Sequence, residues 1–95
     1  MDRYIEVMEN MIVYLIGKGL SEEDARQTAV ELEDRMLKNL EKDLAMDIER
    51  MQQEKKSEED INHRRNEYAG MISIITFRKA AATTLRQEKW HPPAA

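Results

Sequence analysis

The sequence predicts an all-α protein, either an elongated three-helix bundle or a helical hairpin, with a long central helix. Three Gly, two Pro and no Cys among 95 residues disfavour a turn-rich sheet and a disulfide scaffold. Apolar residues recur at spacings of three and four along most of the chain, which is typical of amphipathic helices. One helix start signal occurs twice, at Ser21 and at Ser57, and divides the chain into three segments.

We expect one helical domain over residues 1–90, with helices over about residues 2–16, 22–55 and 58–88. The last five residues, 91–95, contain Pro92 and Pro93. Proline lacks a backbone N–H and disfavours helix, so the sequence predicts a disordered tail there.

The first predicted helix is amphipathic. Its apolar face comprises Ile5, Met8, Ile12, Leu15 and Ile16, with Tyr4 and Met11 beside it. Gly17-Lys18-Gly19 ends the helix, because glycine adopts a positive φ without steric cost. We therefore expect the first helix to fold back on the second through this turn.

The second predicted helix begins at Ser21-Glu22-Glu23-Asp24. The Ser hydroxyl accepts a hydrogen bond from a free backbone N–H, and the carboxylates favour the positive end of the helix dipole. The apolar stripe then shifts by about 90° around the helix. Its earlier part is Ala25, Ala29, Leu32 and Met36, and its later part is Leu37, Leu40, Leu44, Ile48 and Met51. This shift predicts two partners, helix one for the first half and helix three for the second half.

The third predicted helix begins at Ser57-Glu58-Glu59-Asp60, which repeats the start signal. Lys55-Lys56 precede it and suit a helix C-terminus, but neither Gly nor Pro enforces a stop there. Two alternatives stay open: helices two and three are separate, or they form one bent helix. The β-branched residues within 71–77 also allow a strand. We favour helix because the chain offers no second strand for pairing.

The third predicted helix has two apolar faces. One contains Ile61, Tyr68, Ile72 and Ile75, and the nearly opposite one contains Gly70, Ile74, Phe77, Ala81 and Leu85. A single neighbouring helix covers about a third of the circumference, so the second face needs helix one, another copy of the chain or a target protein. We expect a homodimer, because small homo-oligomers are most often twofold.

The sequence predicts a cytoplasmic location without membrane contact. The N-terminal residues 1–6 mix both charges and lack the apolar stretch of a secretory signal. The longest apolar runs are far shorter than the roughly 20 residues that span a bilayer. With no Cys, the chain needs no oxidising compartment.

The net charge of −4 is unevenly distributed. Residues 1–60 hold 17 acidic and 9 basic residues, whereas residues 61–95 hold 2 acidic and 6 basic residues. The basic segment therefore either folds back on the acidic one or forms a contact surface for another molecule.

The function favoured by this pattern is a non-enzymatic protein-binding adaptor, regulator or inhibitor. Arg and Trp often dominate interface energy, and apolar residues on an uncovered helix face need a partner. The predicted partner-binding residues are Ile74, Phe77, Leu85, Arg86 and Trp90. We expect no catalytic residues, no cofactor and no metal ligands.

A nucleic-acid-associated regulator is the alternative. Arg and Lys bind phosphate groups, and an aromatic residue stacks on bases. The residues that would contact nucleic acid are Arg64, Arg65, Arg78, Lys79 and Arg86 on the third helix.

A third hypothesis comes from Glu6-x-x-Glu9 and Glu31-x-x-Asp34. This spacing resembles that of the all-helical nucleotide pyrophosphohydrolases of the MazG type. The resemblance implies four carboxylates on two facing helices that hold Mg²⁺ against a triphosphate. We place it below the binding functions because 19 of 95 residues are acidic, so such pairs arise readily by chance.

Overall fold

A computed structural model describes residues 3–93 and contains three α-helices. These are α1 (Arg3–Gly17), α2 (Glu22–Gln53) and α3 (Glu58–Gln87). The molecule is elongated, with extents of 57 × 27 × 19 Å, and its described residues contain no strand, so the all-α prediction is confirmed. The predicted helix start at residue 2 and residues 94–95 of the predicted tail lie outside the described residues.

The two start signals act as helix N-caps. Ser21 Oγ accepts a hydrogen bond from the Asp24 backbone N–H, and Ser57 Oγ accepts one from Asp60, each at 3.1 Å. Each cap satisfies one of the backbone donors that have no partner within the first helical turn. The local sequence therefore determines where α2 and α3 begin.

All three helices end in the same backbone motif. The N–H groups of Leu20, Lys56 and Trp90 donate to the carbonyls of the residues five positions earlier, at 3.3, 2.9 and 2.9 Å. The residue before each donor has a positive φ: 105° at Gly19, 58° at Lys55 and 52° at Lys89. Such a residue is usually glycine. Lys55 takes this conformation although it is not a glycine, and α2 ends just before it. α2 and α3 are therefore separate helices and not one bent helix.

α1 packs against only one half of the α2–α3 hairpin. With about 1.5 Å per residue, the 15 residues of α1 span about 22 Å and the 30 residues of α3 span about 45 Å. The core where all three helices meet contains Met8, Ile12, Ala25, Ala29, Val30, Ala81, Ala82 and Leu85. A second, smaller cluster lies between α2 and α3 alone and contains Ile48, Met51 and Ile61, with Leu44 packed against it.

The partner assignment for α2 needs a correction. The first half of α2 packs against α1 as predicted, but α3 also contacts that half: Arg26 Nη1 donates to the Trp90 carbonyl at 2.8 Å, and Val30 shares the first core with α3 residues. The reason is geometric. α3 is nearly as long as α2 and begins at the adjoining turn, so the antiparallel hairpin extends along the whole of α2.

None of the three helices, within residues 3–93, combines the length and the apolar character that crossing a membrane requires.

We expect Ile12→Ala to lower the free energy of unfolding by roughly 2–5 kcal/mol, because a fully buried side chain leaves a cavity when it is truncated. Ile12 is 0 % exposed, whereas its neighbour Val13 is 46 % exposed. Val13→Ala is the matched control and should change stability by less than about 0.5 kcal/mol. Urea denaturation followed by circular dichroism measures both. Similar losses for the two variants would contradict the described packing of α1.

Candidate functional site

The charges in the middle of α3 all point toward α2. Between Tyr68 and Leu85 the sequence has only two charged residues, Arg78 and Lys79. Arg78 Nη2 donates to Glu33 Oε1 at 2.6 Å, and Lys79 Nζ donates to Asp34 Oδ1 at 2.6 Å. Because neighbouring residues on α3 reach neighbouring residues on α2, these pairs fix how the two helices align.

Glu33 is the most buried residue of these two ion pairs. Its side chain is 0 % exposed and that of Arg78 is 23 % exposed. Glu33 Oε2 and Arg78 Nε are buried and have no hydrogen-bond partner among the described residues. A buried ion pair of this kind offsets a large desolvation cost and contributes little net stability, but losing one member leaves an uncompensated charge.

Asp34 accepts hydrogen bonds from two lysines. Lys38 Nζ lies 2.8 Å from Asp34 Oδ2, and Lys79 Nζ bonds the other carboxylate oxygen, Oδ1. The hydrogen bond from Lys38, together with that from Lys79, lowers the pKa of Asp34 from 3.8 to about 2. At neutral pH the carboxylate is therefore fully ionised and holds the Lys79 ammonium against α2.

The inward pairing leaves an exposed surface on α3 without charge, which we call the uncharged face of α3. Three apolar side chains are its main features: Met71 is 43 % exposed, Ile74 46 % and Phe77 55 %. The exposed residues that form it are Ala69, Gly70, Met71, Ser73, Ile74, Thr76, Phe77 and Ala80.

The limited reach of α1 explains why this face is exposed. Tyr4, near the start of α1, stacks on Phe77 with a ring-centroid distance of 5.6 Å. From that point α1 runs beside the later part of α3, where Ala81 and Leu85 are buried. The residues before Phe77 continue the same face, but α1 does not extend over them.

The predicted partner-binding residues divide into two groups. Ile74 and Phe77 lie on the uncharged face, as their assignment requires. Leu85 must be removed from the predicted partner-binding surface, because it is 2 % exposed and lies in the core under α1. Trp90 is half-buried, packs against that core and accepts a bond from Arg26 through its carbonyl. Arg86 Nη1 donates to Gln27 Oε1 at 2.9 Å, across the hairpin and away from Phe77.

The basic residues of α3 also engage α2. Arg64 Nη1 donates to Asp47 Oδ2 at 2.8 Å, and the Tyr68 hydroxyl donates to the same oxygen at 3.1 Å. The bond from Arg64 lowers the pKa of Asp47, and burial together with the bond to Asp47 raises that of Tyr68. Of the five residues predicted for nucleic-acid contact, Arg64, Arg78, Lys79 and Arg86 bond α2 and Arg65 is exposed.

The four carboxylates of the pyrophosphohydrolase hypothesis do not converge. Asp34 is bonded to two lysines, and Glu31 Oε1 accepts a bond from Gln27 at 2.9 Å. Residues 3–93 contain no group of three or more His, Asp or Glu side chains arranged to hold a metal ion.

An open cleft of about 480 Å³ lies where α2 begins and α3 ends. Its charges are mixed. Arg26 Nη1 donates to the Trp90 carbonyl and lies 3.9 Å from Glu22 Oε2. A pocket that recognises a ligand needs free polar groups that converge, whereas Arg86 here donates to Gln27 and Arg26 is engaged by groups outside the lining. The cleft is lined by Glu23, Asp24, Arg26, Gln27, Arg86 and Lys89.

The sequence interpretation missed most of the uncharged face, because it weighted apolar residues and passed over the small ones between them. The low charge of this segment would have revealed the face: residues 68–85 include only two charged residues in a chain that is 36 % charged. No family model matches this chain, and comparisons with curated proteins and with solved structures find no match either.

We expect Arg78→Met to lower the free energy of unfolding by roughly 3–5 kcal/mol, because it leaves the Glu33 carboxylate buried without a counter-charge. The double variant Glu33→Leu/Arg78→Met should regain most of that loss, since no buried charge remains. Guanidinium denaturation of the two variants and the wild type makes the comparison. An equal loss in the double variant would show that packing, and not charge, is the dominant contribution.

We expect the stability of the protein to fall as the pH drops from about 4 toward 2. The pKa of Asp34 is about 2 in the folded chain and 3.8 ordinarily, so the unfolded state binds protons first as the pH falls. Asp34→Asn should be less stable than wild type at pH 7 and should lose less over this pH range. Glu49→Gln, at an exposed position of α2, is the control. Urea midpoints measured against pH give the result, and identical wild-type and Asp34→Asn profiles would contradict it.

Proposed function

We propose that this chain is a small non-enzymatic protein-binding adaptor, regulator or inhibitor whose contact surface is the uncharged face of α3. The observation that carries the proposal is the exposed surface from Ala69 to Ala80, about 18 Å along the helix and without charge. Contiguous exposed apolar surface on a soluble protein marks an interaction site.

The chemistry of the face supports a protein partner. Interface cores are depleted of charged residues and enriched in aromatic residues and Met, and this face offers Phe77 and Met71. Met71, Ile74 and Phe77 recur every third residue, which is a spacing of anchors that pack against another helix. Ser73 and Ala80 are small and let a second backbone approach closely.

Two further predictions belong with this proposal. The homodimer expected from the sequence would use the same face. The cytoplasmic location also stays a prediction. It is supported by the absence of Cys from the sequence, because such a chain needs no oxidising compartment.

The nucleic-acid alternative has less support. Phosphate contacts need cations that are free to replace counterions. Arg64, Arg78 and Lys79 instead donate to carboxylates of α2, so these cations are already engaged within the chain. Arg65 remains exposed on α3. A salt-dependent shift of DNA or RNA by the protein would favour this alternative over the protein-binding function.

The test compares protein capture by the wild type and by the variants Phe77→Glu and Ile74→Glu, each immobilised in host lysate and analysed by mass spectrometry. A charge in the middle of an apolar contact should weaken capture of the specific partner about 10- to 100-fold. Met46→Glu is the matched control, because Met46 is 59 % exposed on α2 and lies outside the face.

The proposal requires that Met46→Glu retains the wild-type partner while both α3 variants lose it. Circular dichroism confirms that the variants are folded. A captured set that is the same for all four proteins would refute the uncharged face of α3 as the binding surface.

A further inference from the structure

The chain exposes more surface than a compact protein of its mass. Its accessible area is 6769 Å². The area scaling for folded monomers gives about 5,700 Å² at 11.2 kDa, so the excess is about 1,100 Å². One partner in a stable interface contributes about 800 Å². The elongated monomer thus has enough surplus surface for one interface of standard size.

Because the uncharged face of α3 has no net charge, it can pack against its own copy without repulsion. In a twofold interface the same patch meets its own copy, so any net charge on the patch repels its counterpart. Arg78 and Lys79 of α3 turn toward Glu33 and Asp34 of α2 and bond them within the subunit. The face is therefore free of this repulsion, although 36 % of the residues in the chain are charged.

The shape of the face also fits an antiparallel arrangement. Phe77 projects from α3 and is 55 % exposed, while Gly70 has open space where a Cβ would lie. These two residues are equidistant along α3 from a point between Ser73 and Ile74. A twofold axis through that point brings each Phe77 against the partner's Gly70, so a large side chain meets a glycine twice. A parallel pair would instead place Phe77 against Phe77.

The position of α1 favours the same arrangement. α1 lies beside the part of α3 that follows Phe77. In a parallel dimer both copies of α1 would crowd one end of the interface. In the antiparallel dimer they lie at opposite ends.

We infer that a second copy of this chain covers the uncharged face of α3, in a twofold dimer whose two α3 helices run antiparallel and cross between Ser73 and Ile74. This inference rests on the proposal that the face is the contact surface of the protein, and it names the first occupant of that face.

Sedimentation equilibrium from low to high micromolar concentration tests the dimer. The wild type should self-associate, and Phe77→Glu should weaken association at least about tenfold. Gly70→Gln should weaken it as well, because it fills the space that receives Phe77. Apart from the adjacent residues and backbone of α3 itself, nothing lies within 4 Å of a Cβ at that position, and Gln favours helix over Gly, so this variant should stay folded. Met46→Glu should associate as the wild type does.

Disulfide trapping tests the orientation, since the chain has no cysteine of its own. Ser73→Cys lies beside the proposed axis and should cross-link to its own copy under mild oxidation. Ala80→Cys should not, because the two copies would be about 20 Å apart along the helices and a disulfide needs Cα atoms within about 7 Å. A parallel pair would bring each residue against its own copy and would cross-link both variants, so any cross-linking of Ala80→Cys would overturn the antiparallel arrangement.

A wild type that stays monomeric at high micromolar concentration, or a Gly70→Gln variant that associates as the wild type does, would overturn the inference. The two proposals fail separately. A monomer whose partner capture depends on Phe77 retains the protein-binding function and refutes the dimer. A dimer whose partner capture is indifferent to Phe77 retains the dimer and refutes this face as the adaptor surface.

Discussion

The architecture depends on one mismatch of length: α1 has 15 residues, and the two helices on which it packs have 32 and 30. The covered half of the hairpin buries Met8 and Ile12 of α1 in a three-helix core. The other half has only the smaller cluster around Met51, because two helices enclose far less apolar surface than three. The start of α1 beside Phe77 is the boundary between a stable core and an exposed helix face.

The polar residues between the two cores align the hairpin. Glu33 with Arg78, Asp34 with Lys79 and Asp47 with Arg64 form three pairs along the α2–α3 contact. A slide of one helix by a turn would separate all three, and it would leave Glu33 buried without a counter-charge. Apolar side chains tolerate such a slide more readily because their contacts have no fixed direction. We therefore assign the register of the hairpin to these pairs more than to the small second core.

The same pairs also leave the outer face of α3 without charge, as the proposed binding surface requires. A partner would not need to desolvate the cations that turn toward α2, and desolvation of charges is a large cost of forming an interface. The exposed Ile74 and Phe77 are thus surrounded by small or neutral residues. The internal electrostatics of the hairpin and the chemistry of its outer face are two consequences of one arrangement.

The sequence by itself determined the helices and their starts. Helical spacing predicted three helices, and Ser21 and Ser57 cap α2 and α3 as expected, because both signals depend only on neighbouring residues. It left open whether the helix stops at Lys55, because neither Gly nor Pro is present there, and in the structure the lysine itself takes the left-handed conformation that is usual for glycine. Phe77 and Leu85 belong to one predicted face, yet only the tertiary structure buried Leu85 and exposed Phe77. Periodicity specifies which side of a helix is apolar, whereas the length and position of the neighbouring helix decide how much of that side is covered.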